Sequence, residues 1–92
     1  MIILIFMNID DLATIVKKKI KKNVLVENID VIDKTFLHKG HRSHDINKFH
    51  LKLIIKSSQL KRMSKIESTK KIYYIIKKEL KDYIHSIQIS IN

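Results

Sequence analysis

Phe49-His50-Leu51-Lys52-Leu53-Ile54-Ile55-Lys56 alternates apolar and polar side chains with the period of a β-strand that buries one face. Phe49, Leu51, Leu53 and Ile55 share the inner side, and His50, Lys52 and Lys56 share the outer one. Downstream, Ser57 and Ser58 end the pattern and cap a short helical turn reaching Met63. A long amphipathic helix starts at Ser64 or its neighbours. Its inner stripe is Ile66, Thr69, Ile72, Tyr73, Ile76, Leu80 and Tyr83, with Lys70, Lys71, Lys77, Lys78 and Lys81 outward. Ile87, Ile89 and Ile91 then alternate with Gln88, Ser90 and Asn92 as a last strand. Upstream, residues 24–33 are rich in β-branched side chains and read as a strand whose alternation changes phase around Asn28. Before them, Asn8 is an N-cap with Asp11 three residues on. Leu12, Ile15, Val16 and Ile20 form an apolar face opposite Lys17, Lys18, Lys21 and Lys22, in a helix that should end near Asn23. The order α-β-β-α-α-β predicts an antiparallel strand pair, a final strand joining the same sheet, and helices on one sheet face. The expectation is a two-layer α+β domain.

The 92 residues make one domain, assigned to residues 8–92. Residues 1–7 read as an N-terminal extension: the run from Met1 to Phe6 is apolar but too short to span a bilayer, and Met7 is an alternative start. No cysteine is present, which excludes disulfides, thiolate metal sites and thiol nucleophiles and suits a cytoplasmic setting. The formal charge is +10, yet lysine outnumbers arginine 17 to 2, isoleucine is as common as both together, and proline is absent. Such usage is expected of A+T-rich coding sequence. Dispersed lysine is therefore weak evidence for nucleic acid.

The densest chemistry is His38-Lys39-Gly40-His41-Arg42-Ser43-His44, which packs three of the five histidines around the only glycine. Imidazole combines metal ligation with proton transfer near neutrality. Gly40 can place the backbone in a turn that brings His41 out of the loop. His38, nearer the strand end, suits packing or a backbone hydrogen bond, and His44 is a spare ligand. His50 and His85 read as structural or solvent-facing. A lone zinc site lacks its usual ligand pattern. No Ser-His-Asp order, phosphate-binding glycine loop or paired-carboxylate motif is present, so the chain reads as non-enzymatic.

Residues 29–41, running Ile29-Asp30-Val31-Ile32-Asp33 into His38-Lys39-Gly40-His41, resemble the strand-into-loop signature of the BolA family. Ile72-Tyr73, Lys78-Glu79-Leu80 and Ile84-His85-Ser86-Ile87-Gln88-Ile89 are similar to that family's long helix and ending, so the resemblance spans residues 8–92. It implies an αββααβ fold like a type II KH domain. It also implies partnership with a monothiol glutaredoxin and a shared [2Fe–2S] cluster, held on the other side by glutaredoxin and glutathione thiols, in iron–sulfur trafficking or iron regulation. Isolated, the protein would be a monomer without cofactor. By position the loop ligand is His41, and the family's second histidine falls on Thr69. A threonine hydroxyl is a poor iron ligand at neutral pH, so either a neighbour such as His44 substitutes or this side donates one ligand or none. His38, Gly40, His41, Arg42, Lys65, Thr69 and Lys70 would together form one partner-binding face. The competing expectation is a DNA-binding regulator using Lys61, Arg62, Lys65, Lys70 and Lys71. Without a G-x-x-G clamp or aromatic platform such binding would be weak and nonspecific.

Overall fold

The computed structural model describes residues 7–35 and 48–92. Helix α1 (Ile9–Asn23) starts where Asn8 predicts: the Asn8 side-chain oxygen accepts the Asp11 N–H at 2.8 Å. Asp10 and Asp11 in its first turn and Lys21 and Lys22 in its last both favour the helix dipole. Strands β1 (Asn28–Asp33), β2 (Phe49–Lys56) and β3 (Ile84–Ile91) form one sheet in the order β1-β2-β3. β1 runs antiparallel to β2 and β3 parallel to it. A parallel pair needs a crossover, which helices α2 (Ser58–Lys61), α3 (Lys65–Ile75) and α4 (Lys77–Asp82) provide.

Leu51, Leu53 and Ile55 on the inner face of β2 meet Leu12, Val16 and Ile20 of α1 and Ile72 of α3, with Ile29, Leu60, Ile76 and Ile84 completing the core. Burial of each such side chain stabilises by about 1.5–3 kcal/mol relative to exposure. This is the expected two-layer α+β architecture.

Short helices at the sheet's end are held by side-chain caps. The Ser57 hydroxyl donates to Leu25 O at 2.7 Å and accepts the Leu60 N–H at 3.1 Å, starting α2. The Glu27 carboxylate accepts both the hydroxyl and the N–H of Ser58. That hydroxyl hydrogen bond holds the Glu27 carboxyl below its usual range, with a smaller contribution from Lys56. Ser64 caps α3 by accepting the Glu67 N–H at 3.1 Å.

Three elements depart from expectation. β1 begins at Asn28, because Val24 closes α1, its N–H on Ile20 O at 2.9 Å, and the Leu25 N–H turns to Gln59. The change of phase around Asn28 was the strand's true start. The long helix is divided at Ile76, whose φ of −106° and ψ of 24° leave the helical region. Two backbone bonds flank the division: the Ile76 N–H reaches Ile72 O at 3.1 Å and the Leu80 N–H reaches Ile76 O at 2.9 Å. The inward line is Ser68, Ile72, Ile76 and Glu79, whereas Ile66 is 69% and Tyr73 40% exposed. Thr69, Leu80 and Tyr83 are half-buried. Two polar residues at inward positions misdirect a reading by hydrophobicity. Ser68 donates its hydroxyl to Lys65 O at 3.1 Å, and Glu79 meets Lys19 of α1 at 2.6 Å. Finally, β3 starts at Ile84, earlier than its alternation suggests, because the register shifts opposite Phe49 and His50 and His85 has no Cα partner.

Candidate functional site at the start of strand β3

His38, Gly40, His41, Arg42 and His44 lie outside the described residues. The residues bounding their segment are well tied. The Lys34 N–H donates to His50 O at 2.7 Å, and the Thr35 hydroxyl accepts the His50 N–H at 3.1 Å. Asp33 fixes Thr35 in turn by accepting its N–H at 2.9 Å. On the return side, the Phe49 N–H donates to Tyr83 O at 2.8 Å and Lys48 Nζ donates to Lys81 O at 3.2 Å. Both ends of the segment therefore sit at the start of β3.

Two imidazoles meet at that place. His50 is on the outer sheet face yet only 5% exposed, its Nδ1 2.6 Å from the Ser86 hydroxyl. His85, exposed at the bulge, lies with its ring centroid 4.9 Å from that of His50, the planes inclined at 53°. Lys34, Lys52 and Gln88 line the shallow cleft beside them. A buried ring anchored by a hydroxyl and flanked by an exposed ring suits ligation from outside, because the support limits the positions the exposed ring can take. Among the described residues no group of three His, Cys, Asp or Glu side chains forms a metal site. Any ion here needs donors from elsewhere.

Thr69 and Lys65 occupy a different place. They border a cleft of about 400 Å³ between α2, α3 and the far end of β3, where Leu60, Met63, Ile89 and Ile91 are the apolar walls and Lys61, Ser68 and Ser90 complete the polar ones. Ser90 lies five residue steps along the strand from His85, about 16 Å at the usual rise. The described residues thus do not bring the start of α3 beside the ends of the histidine-rich segment. Lys61, Arg62, Lys65 and Lys70 are exposed and Lys71 is half-buried.

His85 is the site residue that sequence reasoning passed over. Its signal was present in outline: β2 and β3 each carry a histidine near their first residue, and parallel pairing sets those starts side by side.

No curated protein matches this chain by sequence. The structure is similar to the BolA domain of SufE1 from Arabidopsis thaliana, at 25% identity over 87% of this chain and 88% of that one, with a TM-score of 0.73. It is also similar to BolA1 from Arabidopsis thaliana, at 21% identity over the same shares, with a TM-score of 0.71. The BolA-like protein family model matches residues 20–92, from within α1 through every strand to the last residue, and the chain belongs to that family.

Proposed function

We propose that this BolA-like chain is a non-enzymatic adaptor that pairs with a monothiol glutaredoxin and shares a [2Fe–2S] cluster with it. Its work would be iron–sulfur trafficking or iron regulation in a reducing, cytoplasmic setting. The observation that carries the reading is the exposed His85 imidazole, backed by the buried His50–Ser86 pair where the histidine-rich segment leaves and rejoins the fold. His41 and His85 are the ligands this side would donate, and Thr69 is not among them. Two imidazoles fit such a group chemically: neutral donors leave it less negatively charged and raise its potential relative to thiolates. The bound cluster would supply iron–sulfur transfer or redox sensing. The chain's own residues orient His85, tie the segment's ends through Thr35 and Lys48, and surround the place with Lys34 and Lys52. The isolated protein is then a monomer without cofactor.

Anaerobic reconstitution with a monothiol glutaredoxin, glutathione, iron and sulfide tests this, followed by visible absorption and circular dichroism. A one-to-one spectral change that His41→Ala and His85→Ala each alter, and Thr69→Ala does not, is the expected result. A spectrum identical to that of glutaredoxin alone would reject the adaptor reading. A spectrum altered by Thr69→Ala but not His85→Ala would return the second position to α3.

A nucleic-acid reading has one specific support, the exposed Lys61, Arg62, Lys65 and Lys70 on helices α2 and α3 and the turn between them. It predicts affinity for DNA of any sequence that falls steeply with salt.

A further inference from the structure

Strands β1 and β3 are the two edges of the sheet, and they are chemically unlike. β1 carries Asp30 and Asp33, and Glu27 precedes it; β3 runs from Ile84 to Ile91 without an acidic residue, lysine, arginine or proline. Charges and prolines are the usual devices that keep a foreign strand from pairing with an edge. β3 has none of them, and among the described residues its outer edge pairs with no strand. Beside its last residues lies the cleft walled by Leu60, Met63, Ile89 and Ile91, with Lys61 and Lys65 at its border. Among the described residues no acidic side chain lines that cleft.

We propose that this edge and cleft bind an extended acidic segment of another protein, added to the sheet as a fourth strand beside β3. Main-chain hydrogen bonds to β3 supply affinity that does not depend on sequence. Alternate side chains of the segment supply selectivity, as in other strand-addition complexes. Of the segment's side chains that face the helices, apolar ones enter between Met63 and Ile91 and carboxylates meet Lys61 and Lys65. A second copy of this chain is the poorer occupant: it would bring another molecule of charge +10, with its own Lys61 and Lys65, against this one. An acidic strand is also turned away from β1 by Glu27, Asp30 and Asp33, which leaves one competent edge. The site lies at the opposite end of β3 from His85, so it stands independently of cluster sharing.

The probe is a fluorescein-labelled eight-residue peptide, Val-Thr-Glu-Thr repeated twice so that valines and glutamates share one strand face, titrated with the full chain and followed by fluorescence anisotropy and backbone-amide NMR. Expected is saturable one-to-one binding with slowed exchange at alternate β3 amides between Ile87 and Ile91, and no change in Asn28–Asp33. The double variant Lys61→Glu/Lys65→Glu should weaken binding at least tenfold, and Lys61→Gln/Lys65→Gln by less. Both pairs are exposed, and unchanged circular dichroism confirms that the fold persists. His85→Ala should leave peptide binding untouched. Equal affinity for the same peptide with lysine in place of glutamate, binding without protection of β3, or a dimer already pairing β3 in sedimentation would each overturn the proposal. An oligothymidylate that protects the same β3 amides and displaces the peptide would reassign the cleft to nucleic acid.

Discussion

The two ends of strand β3 are organised around two buried polar residues, His50 at its start and Ser57 at its finish. Ser57 is fully buried and uses its hydroxyl in both directions, donating to Leu25 O and accepting the Leu60 N–H, while its own N–H donates to Asn92 O at 3.1 Å. It ties α1's exit, the start of α2 and the chain's last residue into one knot with no chemistry directed outward. His50 ties β2 to Ser86 and at the same time backs an exposed imidazole. The difference teaches how this small fold separates tasks. Irregular backbone, with a bulge and both ends of the histidine-rich segment, gathers where an imidazole faces solvent. At the other end regular caps surround a cleft lined by both apolar and basic side chains.

The comparison breaks most severely if the ends are uncoupled through the middle. Leu53, fully buried midway along β2, contacts the shared core, and Leu53→Ala should lower unfolding stability by about 2–5 kcal/mol. Urea titration followed by amide exchange near His50 and near Ile91 should report one transition at both ends. Two separate midpoints would show that the ends are independent units.

A smaller effect sharpens the contrast. Ser57→Ala leaves the Leu60 N–H and Leu25 O without their partner and should cost about 1–2 kcal/mol. His85→Ala, at an exposed position, should stay within about 0.5 kcal/mol. Equal losses in thermal unfolding would mean that His85 is structural after all.

The smallest effect belongs to Glu27, whose carboxylate reinforces the Ser57 end through Ser58. Because its folded pKa is lowered, its stabilising contribution is complete above the ordinary value of 4.5 and is lost as pH falls through the depressed one. Glu27→Gln should therefore remove a small part of the acid-induced fall in unfolding midpoint and change nothing near neutrality by that route. An acid titration of the variant that superimposes on the parent would dismiss the contribution.

Local rules made much of the fold legible. Strand Phe49–Lys56 has the bounds that its alternation indicates, because one strand sits between two others and buries one face throughout. Asn8, Ser57 and Ser64 were readable as caps because donor and acceptor lie three residues apart. The division at Ile76 was not, since neither glycine nor proline marks it. The inner stripe of α3 and α4 was misread because Ser68 and Glu79 take buried positions with polar contacts to Lys65 and Lys19, partners that a hydropathy pattern does not see. At the site, the histidine-rich segment was evident as composition, whereas the meeting of His50 with His85 depends on β2–β3 pairing across the whole helical crossover. Thr69 looked equivalent by position, and only the tertiary path of β3 separates it from His85.

The sheet has no tight hairpin: residues 34–48 join β1 to β2, and residues 57–83 join β2 to β3. Each ladder must close a long loop before its first hydrogen bond forms, a cost that rises with loop length and slows folding. Helix α1 and the serine-capped starts of α2 and α3 can form early from local contacts, leaving β3 as the late arrival. On a ribosome β3 emerges after the helices that join it to β2, so a nascent chain would hold the β3-facing edge of β2 unpaired until then.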